Sequence, residues 1–229
     1  MSGFTIVWSG QIISVLASSM TNFALTIWAY QETGSAVALG VMQASFLVPF
    51  LLLTPLAGVW VDRYNRKLMM MVSDLTAVLA TCGILALNLT GHLQIWHLYA
   101  ASVLNGLGNT FQWPAYSSAI STMIPKEKYN RANGMMSLID SGPGVLAPLL
   151  AGMLLPVIHL HGILFLDVAT FLVAIITLLI VNIPQPPRTV EVQAGSGNLF
   201  KEATFGFKYI FNRKGLLGLL LFFICLNLN

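Results

Sequence analysis

The chain has 229 residues, of which 56% are hydrophobic and 8% are charged, and its mean hydropathy is +0.78. Soluble domains carry about 25% charged residues, so the composition excludes an ordinary soluble protein and predicts a membrane protein. The net charge of +3 comes from 11 Lys and Arg residues. They fall in three clusters beside apolar runs and form no continuous patch, which indicates contact with membrane lipids and no nucleic-acid binding.

Six apolar runs are long enough to cross a bilayer, since a spanning helix needs about 20 residues. In chain order they are residues 4–30, 36–61, 68–89, 93–123, 132–158 and 162–181. Lys and Arg stay on the cytoplasmic side, and two spans return the chain to that side. The spacing of the basic clusters therefore predicts a multi-pass protein of the cytoplasmic (inner or plasma) membrane with its N-terminus inside.

Composition divides the chain into three regions. Residues 1–181 are expected to form a bundle of six spans, residues 182–214 a cytoplasmic linker, and residues 215–229 the start of a seventh span. Apolar residues recur at helical spacing in the linker, which predicts an amphipathic helix on the membrane surface or a solvated helix packed on the loops. The last apolar run would be about 21 Å long as a helix, short of the hydrocarbon core of about 30 Å, so we expect the chain to stop inside helix seven.

A charged hairpin separates the second span from the third. It reads Gly-Val-Trp-Val-Asp-Arg-Tyr-Asn-Arg-Lys from Gly58 to Lys67. The pattern Gly-x-x-x-Asp-Arg-x-x-Arg-Lys resembles the loop between helices two and three of the major facilitator superfamily of secondary transporters, in which two six-helix halves enclose a site near the midplane. The resemblance implies an all-α membrane protein, namely the N-terminal half of that fold plus the start of helix seven, completed by a C-terminal half or a second copy.

Residues 114–136 narrow the resemblance. They begin Pro-Ala-Tyr at the end of helix four and reach Ala-Asn-Gly at the opening of helix five, which is similar to the macrolide-efflux and enterobactin-exporter branch. Trp8-Ser9-Gly10-Gln11, Thr33-Gly34-Ser35-Ala36 and Leu166-Asp167 match that branch too. The resemblance implies a proton-coupled exporter that moves macrolide-like drugs or other small amphipathic molecules by alternating access.

Other functions stay open at this point. One alternative is a siderophore or lysophospholipid transporter. Another is a non-transporting half-size membrane protein that acts as a dimer or as a partner subunit.

The hairpin is predicted to act as a latch on the cytoplasmic face. Gly58 would let helices two and three turn closely. The resemblance implies that Asp62 bonds a neighbouring helix N-terminus or an Arg of the other half, while Arg63, Arg66 and Lys67 would contact headgroups or acidic partners. The alternative is a loop that only anchors the topology.

Two carboxylates within the predicted spans are candidate proton or cation sites, namely Asp140 and Asp167. An ionised Asp at the bilayer centre costs about 2.5–3.5 kcal/mol on insertion scales, so a functional role is the usual reason for its presence. Each could instead be a structural acid bonded to Ser, Thr or backbone. For Asp167 the match with the branch favours a packing position.

Four polar residues are candidates for contact with substrate, namely Asn22 and Thr26 in the first span and Asn105 and Asn109 in the fourth. Asn105 and Asn109 are four residues apart and therefore share one helix face. Bonding from helix to helix is the alternative. Near Asn105 the antiporter pattern of the family has an Arg, and its absence here puts the family's usual route of proton coupling in doubt.

The fifth span carries Gly142-Pro143-Gly144 followed by Pro148 and Gly152, which resembles the exporter signature of that helix. Proline removes intrahelical hydrogen bonds and glycine permits close approach of backbones, so we expect this segment to bend and pack tightly during gating. A fixed packing kink is the alternative.

No residue spacing indicates an enzyme, a metal site or a cofactor. The four His residues provide too few ligands at suitable spacing for zinc, and no catalytic triad or nucleotide loop is present in the sequence. Cys82 and Cys225 both lie in apolar runs, where core packing is expected rather than a disulfide.

Overall fold

The computed structural model describes residues 2–181 together with Arg213, Gly215 and Gly218. Residues 2–181 fold as α-helices joined by short connections. The helices are α1 (Ser2–Thr33), α2 (Ala36–Arg63), α3 (Arg66–Leu89), α4 (Ile95–Met123) and α5 (Tyr129–Ile180), with a 3-10 helix at Lys126–Lys128. The all-helical class is confirmed. The predicted linker at 182–214 and the seventh span at 215–229 lie outside the described residues, apart from the three just named.

Four of these helices, α1, α2, α3 and α5, are long and apolar enough to cross a membrane. The remaining helix, α4, has 29 residues and is therefore also long enough to cross a membrane. Its hydropathy is lowered by Asn105, Asn109 and Gln112, whose side chains line a cavity inside the bundle. A multi-pass membrane protein follows from the four helices, whereas the count of six spans stays a prediction.

The chain of α5 reverses its direction at His159. This residue has φ 56° and ψ −179° within an otherwise helical run. On one side of it, the carbonyl of Met135 accepts a hydrogen bond of 2.7 Å from Trp8 Nε1, and on the other side Val181 lies against Gly3, also near the start of α1. A straight helix would hold Met135 and Val181 about 69 Å apart. Segments 129–158 and 160–180 therefore run antiparallel, and the break falls between the predicted spans 132–158 and 162–181.

Two buried apolar clusters form the core, one toward each end of the bundle. The first includes Phe4, Met70 and Leu178, and the second includes Ala24, Leu98 and Leu164. The middle stretches of α1, α3 and α4 lie between these clusters and carry the polar side chains of the bundle. The core therefore has a polar layer between two apolar layers.

Small residues set the closest helix contacts. A Cβ atom added at Gly106 would collide with the carbonyl oxygen of Phe46, so α4 and α2 touch there through backbone. At Gly108 an added Cβ would lie 3.2 Å from the carbonyl of Ser73, whose own Oγ donates a hydrogen bond of 2.7 Å to the Gly108 carbonyl. Glycine permits such approach because it has no side chain, and the contacts hold α4 between α2 and α3.

Candidate functional site

A cavity of about 180 Å³ lies in the polar layer. It is bounded by α1, α3, α4 and the 160–180 segment of α5, with Phe46 of α2 at its edge. Its polar lining includes two carboxylates, Asp74 and Asp167, and amide or hydroxyl side chains from α1, α3 and α4. Among the described residues that line the cavity there is no Lys, Arg or His, so within this part of the chain the two carboxylates have no basic neighbour in the cavity wall.

Asp167 is held between two helices. Its exposed fraction is 1%, and its carboxylate accepts hydrogen bonds from Ser18 Oγ of α1 at 2.9 Å and from Thr81 Oγ1 of α3 at 3.3 Å. The sequence placed this acid inside a span and left open whether it serves coupling or packing. The hydroxyl partners join it to α1 and α3, and it also lies in the wall of the cavity.

The sequence reasoning missed Asp74, which is the second carboxylate of the cavity. Its exposed fraction is 4%, and it accepts hydrogen bonds from Gln11 Nε2 at 3.1 Å and from Gln112 Nε2 at 3.0 Å. The same Gln112 nitrogen also donates to Gln11 Oε1 at 2.9 Å, which closes a ring of three side chains from α1, α3 and α4. The rule that selected Asp140 applies equally to Asp74, because it lies seven residues beyond Lys67 within the third apolar run.

Asp140 lies apart from this cavity. It is exposed on the 129–158 segment of α5 and does not belong to the cavity lining. The structure therefore brings Asp167 and Asp74 together and leaves Asp140 on an outer surface of the bundle.

Three of the four predicted substrate-facing residues line the cavity, namely Asn22, Asn105 and Asn109. Asn22 and Asn109 are exposed, so their amide groups are open to a ligand. Thr26 lies outside the lining, and its Oγ1 donates a hydrogen bond of 2.8 Å to the backbone carbonyl of Asn22.

The charged hairpin turns at Tyr64 and Asn65. Asn65 Oδ1 caps the start of α3 by accepting hydrogen bonds from the backbone nitrogens of Lys67 at 3.0 Å and Leu68 at 3.3 Å. Gly58, for which a turning role was predicted, lies within α2 six residues before Tyr64, and an added Cβ there would meet open space. The turn is made by the Asn65 cap because its side chain satisfies the free backbone donors of the new helix.

Two basic residues of the hairpin bind backbone carbonyls of other helices. Arg66 NH1 donates a hydrogen bond of 2.8 Å to the carbonyl of Ser118 on α4. Lys67 Nζ donates to the carbonyls of Leu179 at 3.0 Å and Val181 at 2.9 Å, at the C-terminal end of α5. The two carbonyls bound by Lys67 lie at the C-terminus of α5, where backbone acceptors have no intrahelical donor, so Lys67 satisfies them and its charge complements the helix dipole. Asp62 and Arg63 are the last residues of α2, and their side chains lie outside the described part.

The proline and glycine positions of the fifth span all fall in the 129–158 segment, which is helical throughout. Added Cβ atoms at Gly142, Gly144 and Gly152 would meet nothing within 4 Å. The close packing predicted for these glycines is therefore not found among the described residues. Pro143 is buried and Pro148 is half-buried, and the backbone break in α5 lies at His159 instead.

Comparison with known proteins agrees with this architecture. A family model described as the Major Facilitator Superfamily matches residues 7–228. Macrolide efflux protein A of Streptococcus pyogenes is 28% identical over 218 residues, covering 95% of this chain and 53% of that protein. Macrolide efflux protein A of Enterococcus faecalis is 30% identical over 188 residues (82% and 57%), and Multidrug resistance protein 1 of Bacillus subtilis (strain 168) is 28% identical over 182 residues (77% and 42%). The chain spans about half the length of the curated relatives it matches.

Proposed function

Because the chain belongs to the Major Facilitator Superfamily, we propose that it forms the N-terminal six-helix half of an exporter for macrolides or similar small amphipathic molecules. Its similarity to macrolide efflux proteins over most of its length confirms the branch that the sequence motifs indicated. Transport would proceed by alternating access and be driven by an ion gradient. No covalent step is needed, so the proposal includes no enzymatic activity and no cofactor.

The polar cavity is the observation that carries this proposal. In transporters of this kind the substrate site lies near the bilayer midplane, and the cavity lies between the two apolar clusters of the bundle. Ligand sites are largely apolar with a few convergent polar groups. Leu25, Phe46 and Phe171 supply apolar wall here, while Asn105 and Asn109 supply amide groups that would hydrogen-bond the substrate.

A second half would cover the exposed faces of the bundle. Along α2 the side chains of Val48 and Leu52 are exposed, and on the 129–158 segment Leu149 and Met153 are exposed. Lipid tails cover such faces, and so does a packed protein surface, because both are apolar. We assign part of these faces to contact with a C-terminal half or a second copy, which would complete the cavity.

Coupling to protons is the next part of the proposal. Asp167 is the stronger of the two predicted acids, since it lies in the cavity wall where substrate and proton would compete. Asp140, exposed on the 129–158 segment, would act from the surface that faces the second half or the lipid. The N-terminus is proposed to lie in the cytoplasm, with the hairpin from Gly58 to Lys67 as the latch on that face of the inner membrane.

Accumulation of a radiolabelled macrolide, erythromycin, tests the proposed function. The open reading frame that contains these residues would be expressed in efflux-deficient bacterial cells, with and without a protonophore, and its presence in the membrane checked by immunoblot. Lower accumulation that the protonophore restores is the expected result. Unchanged accumulation with normal protein levels would contradict macrolide export. Siderophores and lysophospholipids would then be the next substrates to assay.

A further inference from the structure

Asp74, Gln11 and Gln112 form a closed ring at the junction of three helices. Gln112 Nε2 donates both to Asp74 Oδ1 at 3.0 Å and to Gln11 Oε1 at 2.9 Å, and Gln11 Nε2 donates to Asp74 Oδ2 at 3.1 Å. The remaining acceptor of the ring, Gln112 Oε1, is buried and has no hydrogen-bond partner in the described part of the chain. Both amide nitrogens therefore donate within the ring, while the amide oxygen of Gln112 accepts no hydrogen bond from the described residues.

The charge around this ring is unbalanced. Within the described part of the chain, the titratable side chains that line the cavity are Asp74 of α3 and Asp167 of the 160–180 segment, while α1 and α4 contribute amides, hydroxyls and apolar groups. Burying a carboxylate without a cation is costly, and binding one proton removes that charge. Among the described residues no group of three His, Cys, Asp or Glu side chains is placed to hold a metal ion. A proton fits the ring better than a metal.

The two carboxylates differ in how their partners respond to a proton. Asp167 is bonded by Ser18 and Thr81, whose hydroxyl hydrogens rotate freely, so either hydroxyl changes from donor to acceptor without moving its oxygen. Asp74 is bonded by amides, which have separate donor and acceptor atoms. A proton on Asp74 needs an acceptor, and Gln112 Oε1 reaches it only when the whole amide turns over. That turn places two oxygens against each other and breaks the Gln112 bond to Gln11.

We propose that Asp74, Gln11 and Gln112 form a proton-binding site whose occupancy controls the contact between α1 and α4. With Asp74 ionised, charge-assisted hydrogen bonds hold the three helices together. Protonation forms one O–H bond on the carboxylate, takes the proton from water, weakens both amide contacts and releases α1 from α4. The use of this site in transport rests on the proposed function, to which it adds a second proton-binding carboxylate beside Asp167 in the same cavity.

Infrared difference spectroscopy tests proton binding without any substrate. The full-length protein would be reconstituted in lipid, and spectra recorded between acidic and alkaline buffer, where a protonated carboxyl gives its own C=O band. Asp74→Asn is expected to lose one such band, and Glu32→Gln, an exposed acid at the end of α1, to keep it. The band persisting unchanged in Asp74→Asn overturns the proposal.

A second variant keeps the test decisive if Asp74→Asn does not fold. Gln112→Leu retains the acid and removes its amide partner, so the proton affinity measured from the same band is expected to change about tenfold or more. An unaltered titration in Gln112→Leu shows that the ring does not control the proton, and also overturns the proposal.

Transport separates this inference from the proposed function. In vesicles, Asp74→Asn is expected to lose uphill erythromycin movement driven by a proton gradient while keeping downhill movement. If the unmodified protein moves no erythromycin, the proposed substrate is wrong and the infrared result alone decides the proton site. If Asp74→Asn retains full uphill transport, the proton site is not the one that drives export, and the inference fails while the proposed function stands.

Discussion

Gln11 donates a hydrogen bond of 3.1 Å from Nε2 to Oδ2 of Asp74, joining α1 to α3 at the centre of the bundle. Both residues are buried, at 3% and 4% exposed. Gln11→Leu removes one donor from a buried carboxylate, and the loss of such a partner costs about 1–3 kcal/mol. We expect the melting temperature of the purified protein to fall by roughly 2–4 °C for each kcal/mol lost.

A matched substitution elsewhere separates this effect from a general one. Gln43→Leu makes the same chemical change at an exposed position of α2. It is expected to leave the melting temperature unchanged or raise it slightly in lipid. Equal losses in the two variants would show that the bond between Gln11 and Asp74 does not contribute to stability.

Asp167 and Asp140 are expected to respond differently to the same substitution. Asp167→Asn alters a buried carboxylate that accepts hydrogen bonds from Ser18 and Thr81, so both stability and erythromycin export should fall. The stability loss is expected to be about 1–3 kcal/mol, measured by thermal unfolding in detergent. Asp140→Asn, at an exposed position, should unfold at the normal temperature, and its transport rate then reports directly on coupling. A larger stability loss in Asp140→Asn would contradict the placement of the two acids.

Lys67 ties the start of α3 to the end of α5. Its Nζ lies 3.0 Å from the carbonyl of Leu179 and 2.9 Å from that of Val181. Lys67→Met keeps the length of the side chain and removes its charge, so the end of α5 loses two hydrogen bonds and fraying should increase. We expect faster backbone hydrogen exchange at residues 177–181, and Lys128→Met, at an exposed site, serves as the control. Unchanged exchange at these residues would show that the contact is weak in the membrane.

Asp62 tests the latch hypothesis, which comes from the family resemblance. Asp62→Asn should sharply reduce export because it removes the charge proposed to hold the cytoplasmic face closed. Insertion should stay normal, as judged by the amount of protein in the membrane fraction. Glu127→Gln, an exposed acid of the 3-10 helix on the same proposed side, provides the control. Normal export by Asp62→Asn would contradict the latch hypothesis and leave anchoring of the membrane topology as the role of the hairpin.

The sequence predicted the helices well because their signal is local. The apolar runs placed α1 to α4 within three residues of their ends, and the run of α5 breaks at His159, between the fifth and sixth predicted spans. Asp167 was identified as an intramembrane acid by the same local reasoning. The same rule applies to Asp74, which lies within the third apolar run, although its amide partners Gln11 and Gln112 come from other helices and could not be identified from the sequence.

Contacts between residues far apart in the chain could not be predicted from the sequence. The bond between Lys67 and the Val181 carbonyl spans 114 positions, and Gln11 and Gln112 are 101 positions apart. Composition and periodicity carry no information about such pairs, since they depend on how helices pack. For the same reason the sequence assigned close packing to Gly142, whereas the structure shows the tight backbone contact at Gly106.

Gly106 and Gly142 give a direct test of helix packing. An added Cβ at Gly106 would collide with the carbonyl oxygen of Phe46, which is backbone and moves only with α2, so Gly106→Ala should separate α4 from α2 and destabilise the bundle by about 1–3 kcal/mol. At Gly142 the same atom meets open space, and alanine favours a helix over glycine by up to about 1 kcal/mol. Gly142→Ala is therefore expected to unfold at the same or a higher temperature. If Gly142→Ala is the more damaging variant in the complete protein, the 129–158 segment packs closely against the second half, and the gating role predicted for its glycines gains support.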